Sequence, residues 1–365
     1  MKKIIITVLF LLLFSINVSA KDTYAEQYEI SGAEDIYGYL DEEARGFFDR
    51  LELDIGDSGW VSGLTAENIF EEIIGFLKDG MKTPLKCAAG LLALIVLLAA
   101  ANTFEGFKPF EEVASYIFVL VAATGVLLPL FSLIENCGSA VKGVGTLMLG
   151  FIPIYAGILT VGGQGITASG MSFLLLGAAG AVGNIASFIV VPLMSGYLGV
   201  GLVSSVLPVG SANRLGEALK KTAMWILSLS LTLFLGLLSI QTAVNATADN
   251  LGVKTVKFVL GSFVPVAGGA LSESLTTLLG SVKLLKSTVG MFGVVGVTVT
   301  VLPVIIELLI WRVMLFFLIA AAELFGLQVK TDVLKAADCV ISVLIGVLLF
   351  VASLFIISLG VISGR

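Results

Sequence analysis

The chain has 365 residues, of which 57% are hydrophobic and only 13% are charged, whereas an average soluble domain carries roughly 25% charge. Together with a mean hydropathy of +1.05, this composition predicts a polytopic membrane protein and excludes a single water-soluble core. The lack of histidine excludes Ser-His-Asp triads and His-based zinc sites, and a net charge of −6 argues against nucleic-acid binding. Three cysteines without a C-x-x-C pair predict neither a metal ribbon nor a disulfide framework, so no cofactor is expected.

Residues 1–20 have the pattern of a secretory signal peptide. Two lysines precede an apolar run over residues 4–14, and the small residues Ser19 and Ala20 form a cleavage signal. The alternative is an uncleaved anchor helix, although an apolar region of about 7 to 15 residues is short for a span. Both interpretations place the following segment, residues 21–83, on the extracytoplasmic side of the membrane.

This exported segment is strongly acidic, because residues 21–80 carry 16 acidic and 4 basic residues. We expect a small helical domain over residues 21–83. Thr65 is placed to cap a helix with apolar residues at helical spacing on one face, and a weaker pattern covers residues 40–53. The apolar residues of the first helix are Ile69, Phe70, Ile73, Ile74 and Leu77. The excess negative charge indicates either a solvated face or attraction to a basic partner.

Residues 84–365 form the predicted membrane domain. A spanning helix requires about 20 mostly apolar residues; nine segments approach that length and two of them are short, so we expect seven to nine spans. The segments are 87–104, 113–134, 144–161, 171–192, 195–210, 222–243, 288–309, 310–327 and 338–361. Proline kinks a helix and glycine lets helices approach closely, so we expect a tight bundle in which some spans are broken. The predicted fold class is all-α: a polytopic helical membrane protein with a small acidic extracytoplasmic N-terminal helical domain.

The loop over residues 211–221 orients the bundle. It carries Arg214, Lys220 and Lys221 against one acid, and the positive-inside rule places such a loop in the cytoplasm. Five crossings between the exported domain and this loop satisfy both constraints. The next span then leaves residues 244–287, with four lysines, outside the cell. This segment either dips into the membrane as a re-entrant segment or contradicts the topology.

Residues 244–290 differ in pattern from the rest of the chain. Pro265, Gly268 and Gly269 form a breaker cluster that ends one helix and starts another. An apolar stripe follows at alternating spacings of four and three, formed by Leu271, Leu275, Leu278, Val282 and Leu285. This amphipathic pattern is typical of a helix that lies along an interface or lines a polar path, and a helix simply packed on the bundle is the alternative.

Three charged residues are candidates for intramembrane function: Glu273, Glu307 and Arg312. An ionised group near the bilayer centre costs about 2.5–3.5 kcal/mol on insertion scales. Glu307 and Arg312 are five positions apart, about 140° around a helix, so they are not expected to pair on one face. We expect Arg312 at a membrane boundary and Glu307 either within the membrane or at headgroup level.

Several short motifs resemble the stage III sporulation protein AE family of endospore-forming bacteria. They are Lys254-Thr-Val-Lys257-Phe258, Phe263-Val-Pro265-Val-Ala-Gly268-Gly269 and Leu284-Leu285-Lys286-Ser-Thr-Val-Gly290. The similarity covers most of residues 84–365 and is strongest over 211–312.

The resemblance implies a multi-pass protein of the mother-cell membrane around the forespore. Members of this family belong to a transenvelope complex likened to a secretion apparatus or feeding channel. The implied partners are other stage III sporulation A-operon proteins, including the ATPase-like AA component, indirectly stage II sporulation protein Q on the forespore side, and membrane lipid. The family is not known for enzymes, and this chain has no G-x-x-x-x-G-K-[ST] phosphate loop.

The predicted function is therefore a non-enzymatic component of the sporulation channel that supports forespore development. The alternative is a stand-alone secondary transporter for a small solute or ion, but that class is typically built from inverted repeats, and no repeat is evident. An intramembrane hydrolase is disfavoured because histidine is lacking and because Asp249, Asp332 and Asp338 fall at or beyond predicted helix ends. The candidate channel or assembly residues are Lys254, Lys257, Phe258, Pro265, Gly268, Gly269, Glu273, Lys286, Gly290, Glu307 and Arg312.

Overall fold

A computed structural model of the chain describes the backbone of residue 24 and of residues 27–102, 111–185, 190–206, 212–263, 268–326 and 331–363. Most side chains in these ranges are described as well. The main exceptions are the side chains of residues 250–263 and 268–278. Helices joined by turns and short loops make up this part of the chain, and it contains no strand. The all-α fold class is confirmed.

Residues 27–30 are helical, and eight longer α-helices follow in the described ranges. Two short 3₁₀ helices, Ala33–Tyr39 and Trp60–Gly63, flank the first of them. The α-helices are α1 (Glu42–Arg50), α2 (Ala66–Asn102), α3 (Glu111–Val161), α4 (Gly165–Asn184), α5 (Val191–Val206), α6 (Ala212–Phe263), α7 (Gly268–Leu324) and α8 (Asp332–Ser363).

Helix α2 begins where the sequence predicts it. The backbone N–H of Asn68 donates to Thr65 Oγ1 at 3.3 Å, so the predicted cap is confirmed. The helix then continues without interruption past residue 83, and it therefore joins the acidic segment directly to the membrane domain. Its first apolar residues are exposed, with Phe70 at 63%, so this face is open to lipid or to a partner.

Several helices of the membrane domain are longer than the predicted spans. Helix α3 has 51 residues and α7 has 57, which at 1.5 Å per residue is about 75–85 Å, against a hydrocarbon core of about 30 Å. The predicted spans 113–134 and 144–161 both lie within α3, and an uninterrupted helix crosses a bilayer once. Five helices of the described residues are long and apolar enough to cross a membrane: Ala66–Ala100, Tyr116–Val161, Glu217–Asn245, Leu279–Leu324 and Asp332–Ser363.

Three prolines that were expected to break spans lie inside helices. Pro129 and Pro153 belong to α3, and Pro303 belongs to α7. Proline in a helix interior costs about 3 kcal/mol. One neighbour of each proline is buried, namely Leu130, Ile152 and Val304, so packing next to each proline offsets part of this cost.

Helices α4 and α5 lie one after the other along α8. Ala168 and Met171 of α4 line a small cavity with Ile362 near the end of α8, whereas Tyr197 of α5 is hydrogen-bonded to Cys339 near its beginning. Neither of these two helices is among the five candidate spans of the described residues. The number of crossings between the acidic segment and the basic loop therefore stays a prediction.

The described parts of the unusual segment 244–290 are helical. Helix α6 reaches Phe263 and α7 starts at Gly268; Pro265, at the centre of the predicted break, lies outside the described residues, so the break stays a prediction. Residues 244–263 continue α6, and residues 268–287 form the first turns of α7, so the described parts of the segment are helical continuations of the bundle.

The acidic N-terminal segment packs on the sides of α3 and α7. Phe48 lies against Phe292 of α7 with ring centroids 4.6 Å apart, and Trp60 contacts the same ring at 6.3 Å. Tyr39 lies directly over Gly150 of α3, where any larger residue would overlap its ring. The glycine creates a notch that receives the tyrosine, and the segment is thereby docked on the bundle.

Candidate functional site

The predicted site residues divide into two groups by position. The side chains of Lys254, Lys257 and Phe258 in α6, and of Glu273 in α7, lie outside the described residues, as does Pro265 altogether. Gly268 and Gly269 are the first two residues of α7. The functional roles assigned to this group stay predictions. The remaining four residues, Lys286, Gly290, Glu307 and Arg312, are described in full and occupy three different places in the bundle.

Lys286 is buried beside a polar cavity of about 460 Å³ between α3, α4, α6, α7 and α8. Lys286 is only 4% exposed, and its Nζ donates a hydrogen bond to Gln164 Oε1 at 3.3 Å. Burying an ammonium group is costly without polar partners, so the cavity must supply them. Its polar lining residues are Gln164, Thr167, Thr242, Asp249, Lys283 and Lys286.

Asp249 connects this cavity to the beginning of α4. Its carboxylate oxygens accept hydrogen bonds from the backbone N–H groups of Ile166 at 3.1 Å and Thr167 at 2.9 Å. The first N–H groups of a helix have no partner within it, and a carboxylate is favoured at this end of the helix dipole. Asp249 thus caps α4 from a distant part of the chain.

The expected position of Asp249 at a helix end is wrong. It lies inside α6 and is 7% exposed. Hydropathy predicted that the span ends at residue 243, because Asn245, Asp249 and the lysines that follow are polar, yet the helix continues. Asp338 likewise lies within α8, and Asp332 is its first residue.

Gly290 lies where α3, α7 and α8 converge. A side chain at this position would overlap Ser363 and approach the Tyr155 hydroxyl. Tyr155 Oη donates to the backbone carbonyl of Lys286 at 3.2 Å and lies 3.1 Å from Ser363 Oγ. The observed contacts of Gly290 are therefore those of close helix packing, immediately next to the Lys286 cavity.

Glu307 faces a second cavity, an acidic cleft of about 620 Å³ where the N-terminal segment meets α2, α3 and α7. The amide of Asn136 donates to its carboxylate, and Asp41, Glu42, Glu43 and Asp79 are among the other lining residues. No group of three or more carboxylate or thiol side chains in the described part of the chain is placed to hold a metal ion.

The cleft affects the protonation of one carboxyl group. Partial burial, together with the nearby carboxylates of Asp41 and Glu307, raises the pKa of Glu43 above its ordinary value of 4.5. Across the cleft, Arg50 forms a bidentate ion pair with Glu72 of α2, in which both N···O distances are 2.8 Å. The N-terminal segment is therefore held to the bundle by charge as well as by its aromatic contacts.

Arg312 points away from this cleft and pairs with Asp338 of α8 at 3.4 Å. A second ion pair, Lys335 with Glu323 at 2.8 Å, follows toward the α7–α8 turn. Glu307 and Arg312 thus have separate partners, as their spacing around the helix requires. Sequence reasoning identified the charged residues of α7 but not Asp249, Gln164 or Asn136, because a single polar residue in an apolar region does not show which helix it faces.

The sequence profile of the stage III sporulation protein AE family matches residues 59–365, which include all the helices from α2 to α8. The chain belongs to this family. A relative from Bacillus subtilis (strain 168), named stage III sporulation protein AE, is 28% identical over 200 residues, 55% of this chain and 50% of the relative. The match thus spans about half the length of that relative. No solved structure matches the chain.

The family match covers the whole Lys286 cavity but only part of the acidic cleft. The stage III sporulation protein AE profile includes every lining residue of the Lys286 cavity and includes Glu307, Asn136 and Asp79 in the acidic cleft. Asp41, Glu43 and Arg50, which the N-terminal segment contributes to the cleft, precede residue 59. Most of the docked acidic segment therefore lies outside the matched region, whereas Trp60 lies within it.

Proposed function

We propose that this chain is a non-enzymatic membrane component of a channel-like, transenvelope complex between mother cell and forespore. The single observation that carries the proposal is the family match, which includes the whole membrane bundle. Membership of a sporulation family also supports a sporulation role for this chain. The five helices long enough to cross a membrane support a position in the mother-cell membrane around the forespore.

The basic residues at the start of α6 support the proposed orientation. Lys220 lies close to Cys339 in the N-terminal half of α8, and Arg214 and Lys221 belong to the same basic stretch of the chain. A basic end is expected to face the cytoplasm. The acidic segment then faces the space between the two membranes, where partner proteins from either side are accessible.

In this proposal the bundle builds or gates a pore together with other stage III sporulation A-operon proteins. The ATPase-like AA component contacts it on the cytoplasmic side, and the link to stage II sporulation protein Q is indirect. Large apolar residues are exposed along α3, α6 and α7, among them Leu120, Leu233 and Phe316. Surfaces of this kind mark contact with lipid or with other membrane proteins.

The test is deletion of the gene in the organism that carries it, combined with purification of the complex through a tagged A-operon partner. We expect the complex to lose other membrane components and forespore development to stop after engulfment. A chromosomal copy with the exposed residue Phe173 changed to alanine serves as a matched control that should restore both. Normal assembly and normal spores in the deletion strain would refute the proposal.

Cysteine-accessibility mapping tests the orientation independently. The three native cysteines are free thiols, so they are first replaced by alanine, and single cysteines are then introduced at positions 35 and 214. A membrane-impermeant maleimide applied to intact cells that carry the chain in their cytoplasmic membrane, so that its extracytoplasmic side faces the medium, should label position 35 and not position 214. The reverse pattern would contradict the orientation while leaving family membership unaffected.

A further inference from the structure

The cavity beside Lys286 has the lining of a ligand site. Its volume of about 460 Å³ falls within the roughly 300–1,000 Å³ of small-molecule sites. Lys283 and Lys286 are three positions apart on α7, and residues at this spacing share a helix face. Lys283 is exposed and Lys286 is buried, so the two ammonium groups mark a path from the surface into the cavity.

The charges that line this cavity favour an anion. The two lysines face one carboxylate, that of Asp249. Both of its oxygens accept backbone N–H groups of α4, and the positive end of the helix dipole compensates part of its charge. The other polar lining residues, Gln164, Thr167 and Thr242, are neutral. The described lining is therefore cationic on balance.

The surroundings of the cavity are apolar and exposed. Three large apolar residues adjoin lining residues in the chain: Val161 (65% exposed) precedes Gly162, Ile166 (52%) precedes Thr167, and Leu284 (42%) follows Lys283. Apolar lining residues continue inward from these positions, including Leu159, Val282 and Ile362. A basic pocket between apolar helices is the arrangement that recognises an anionic lipid headgroup.

We propose that this cavity binds the phosphate of an anionic phospholipid, with Lys283 and Lys286 as the phosphate contacts and Val161, Ile166 and Leu284 as the support for the acyl chains. Lysine binds phosphate as a point charge, and the lipid would fasten α7 to the turn between α3 and α4. The proposal rests on this cavity alone and is independent of the proposed role in a channel.

The experiment uses the full chain in a neutral detergent, with thermal unfolding and native mass spectrometry as the two measurements. Phosphatidylglycerol, phosphatidylcholine and inorganic phosphate are titrated separately. We expect phosphatidylglycerol to raise the unfolding temperature and to remain bound in the mass spectrum. Lys283→Gln and Lys286→Gln should each weaken its binding about tenfold, as expected for loss of one charge-assisted contact. Lys142→Gln, which changes an exposed lysine of α3 outside the cavity, should leave binding unchanged.

Two variants separate loss of binding from loss of folding. Lys286→Arg keeps the charge and should retain most of the affinity for phosphatidylglycerol. Lys283→Gln changes an exposed residue, so it tests the site even if Lys286→Gln fails to fold. Equal binding of phosphatidylglycerol and phosphatidylcholine, or unchanged binding in Lys283→Gln, would overturn the proposal. Protection by inorganic phosphate as strong as that by the lipid would also overturn the lipid assignment and identify free phosphate as the ligand.

Discussion

Phe48 in the acidic segment packs against Phe292 in the first half of α7, with ring centroids 4.6 Å apart and ring planes inclined by 46°. Both residues are almost completely buried, at 1% and 0% exposure. Residues 288–309 were expected to form a span, and at Phe292 this helix contacts the acidic segment. The acidic segment therefore covers part of the apolar surface of α7, which explains why a segment rich in carboxylates stays on the bundle.

Replacing Phe292 by alanine should destabilise the docked state. Loss of a buried phenylalanine costs about 3–5 kcal/mol, and the same is expected for Phe48→Ala. The double variant should lose less than the sum of the two, because the aromatic pair itself contributes about 0.5–1.5 kcal/mol. Chemical unfolding in detergent measures the cost, and Phe316→Ala, at a position of α7 that is 67% exposed, is the control. Additive single and double effects would show that the two rings are not coupled.

A methyl group at Gly150 should release the N-terminal segment from α3. The Cβ of alanine would overlap the ring of Tyr39, including its first ring carbon, so the whole ring would have to rotate about the Cα–Cβ bond and leave its place over α3. Gly145→Ala is the matched control on the same helix, because nothing lies within 4 Å of its Cβ position. Limited proteolysis between residues 24 and 63 should become several-fold faster in Gly150→Ala only. Equal protection in both variants would mean that Tyr39 does not anchor the segment.

The acidic segment should dock on the bundle more strongly as the pH falls, because Glu43 becomes protonated. Its pKa is raised above 4.5 in the docked state, so docking favours the protonated form. The stabilisation is fully present below pH 4.5 and is lost as the pH rises through the raised pKa. Glu43→Gln should imitate the protonated form, slow the proteolysis of residues 24–63 at neutral pH and reduce the pH dependence just above pH 4.5. Glu34→Gln, outside the cleft, should behave as wild type, and an unchanged pH profile in Glu43→Gln would exclude this carboxyl.

Local chemistry was predictable from the sequence where it depends on neighbours in the chain. Thr65 caps α2 as predicted, because capping acts over a few residues. Contacts such as Tyr39 on Gly150 join distant segments of the chain, and no local pattern indicates them. The docking of the acidic segment was missed for this reason.

The lengths of the membrane helices were not predictable from hydropathy alone. Glu135 and Lys142 divide the apolar run of α3, so the sequence indicates two spans. Both are good helix formers, and the backbone continues through them as one helix. The candidate site shows the same limit: Lys286 and Glu307 were identified as charged residues in an apolar region, while Asp249 was misplaced because the polarity that follows residue 243 imitates a helix end.

Asp249 should be required for the order of the first turn of α4. Asp249→Ala removes the acceptor of two backbone N–H groups in a partly buried place, which costs about 1–3 kcal/mol for each unsatisfied group. Asp249→Asn keeps one oxygen acceptor, loses the charge and should retain part of the stability. Hydrogen exchange of residues 166–169 should accelerate strongly in Asp249→Ala and less in Asp249→Asn. Unchanged exchange in both variants would show that the cap does not stabilise α4, whereas faster exchange throughout the bundle would indicate global unfolding.

Reversing one charge of the Arg312–Asp338 pair should destabilise the contact between α7 and α8, and reversing both should restore it. Arg312→Glu places two carboxylates where the structure has an ion pair at 3.4 Å, and Asp338→Arg places two cations there. The side chains are 45% and 32% exposed, so the attraction itself is worth about 0–1 kcal/mol in water. The double reversal should recover at least half of the unfolding temperature lost by each single variant, because it restores an attractive pair between the two helices. The same exchange at Lys335 and Glu323 provides the control for a pair beside the α7–α8 turn. A double variant no more stable than the worse single variant would mean that Arg312 is held by contacts other than Asp338.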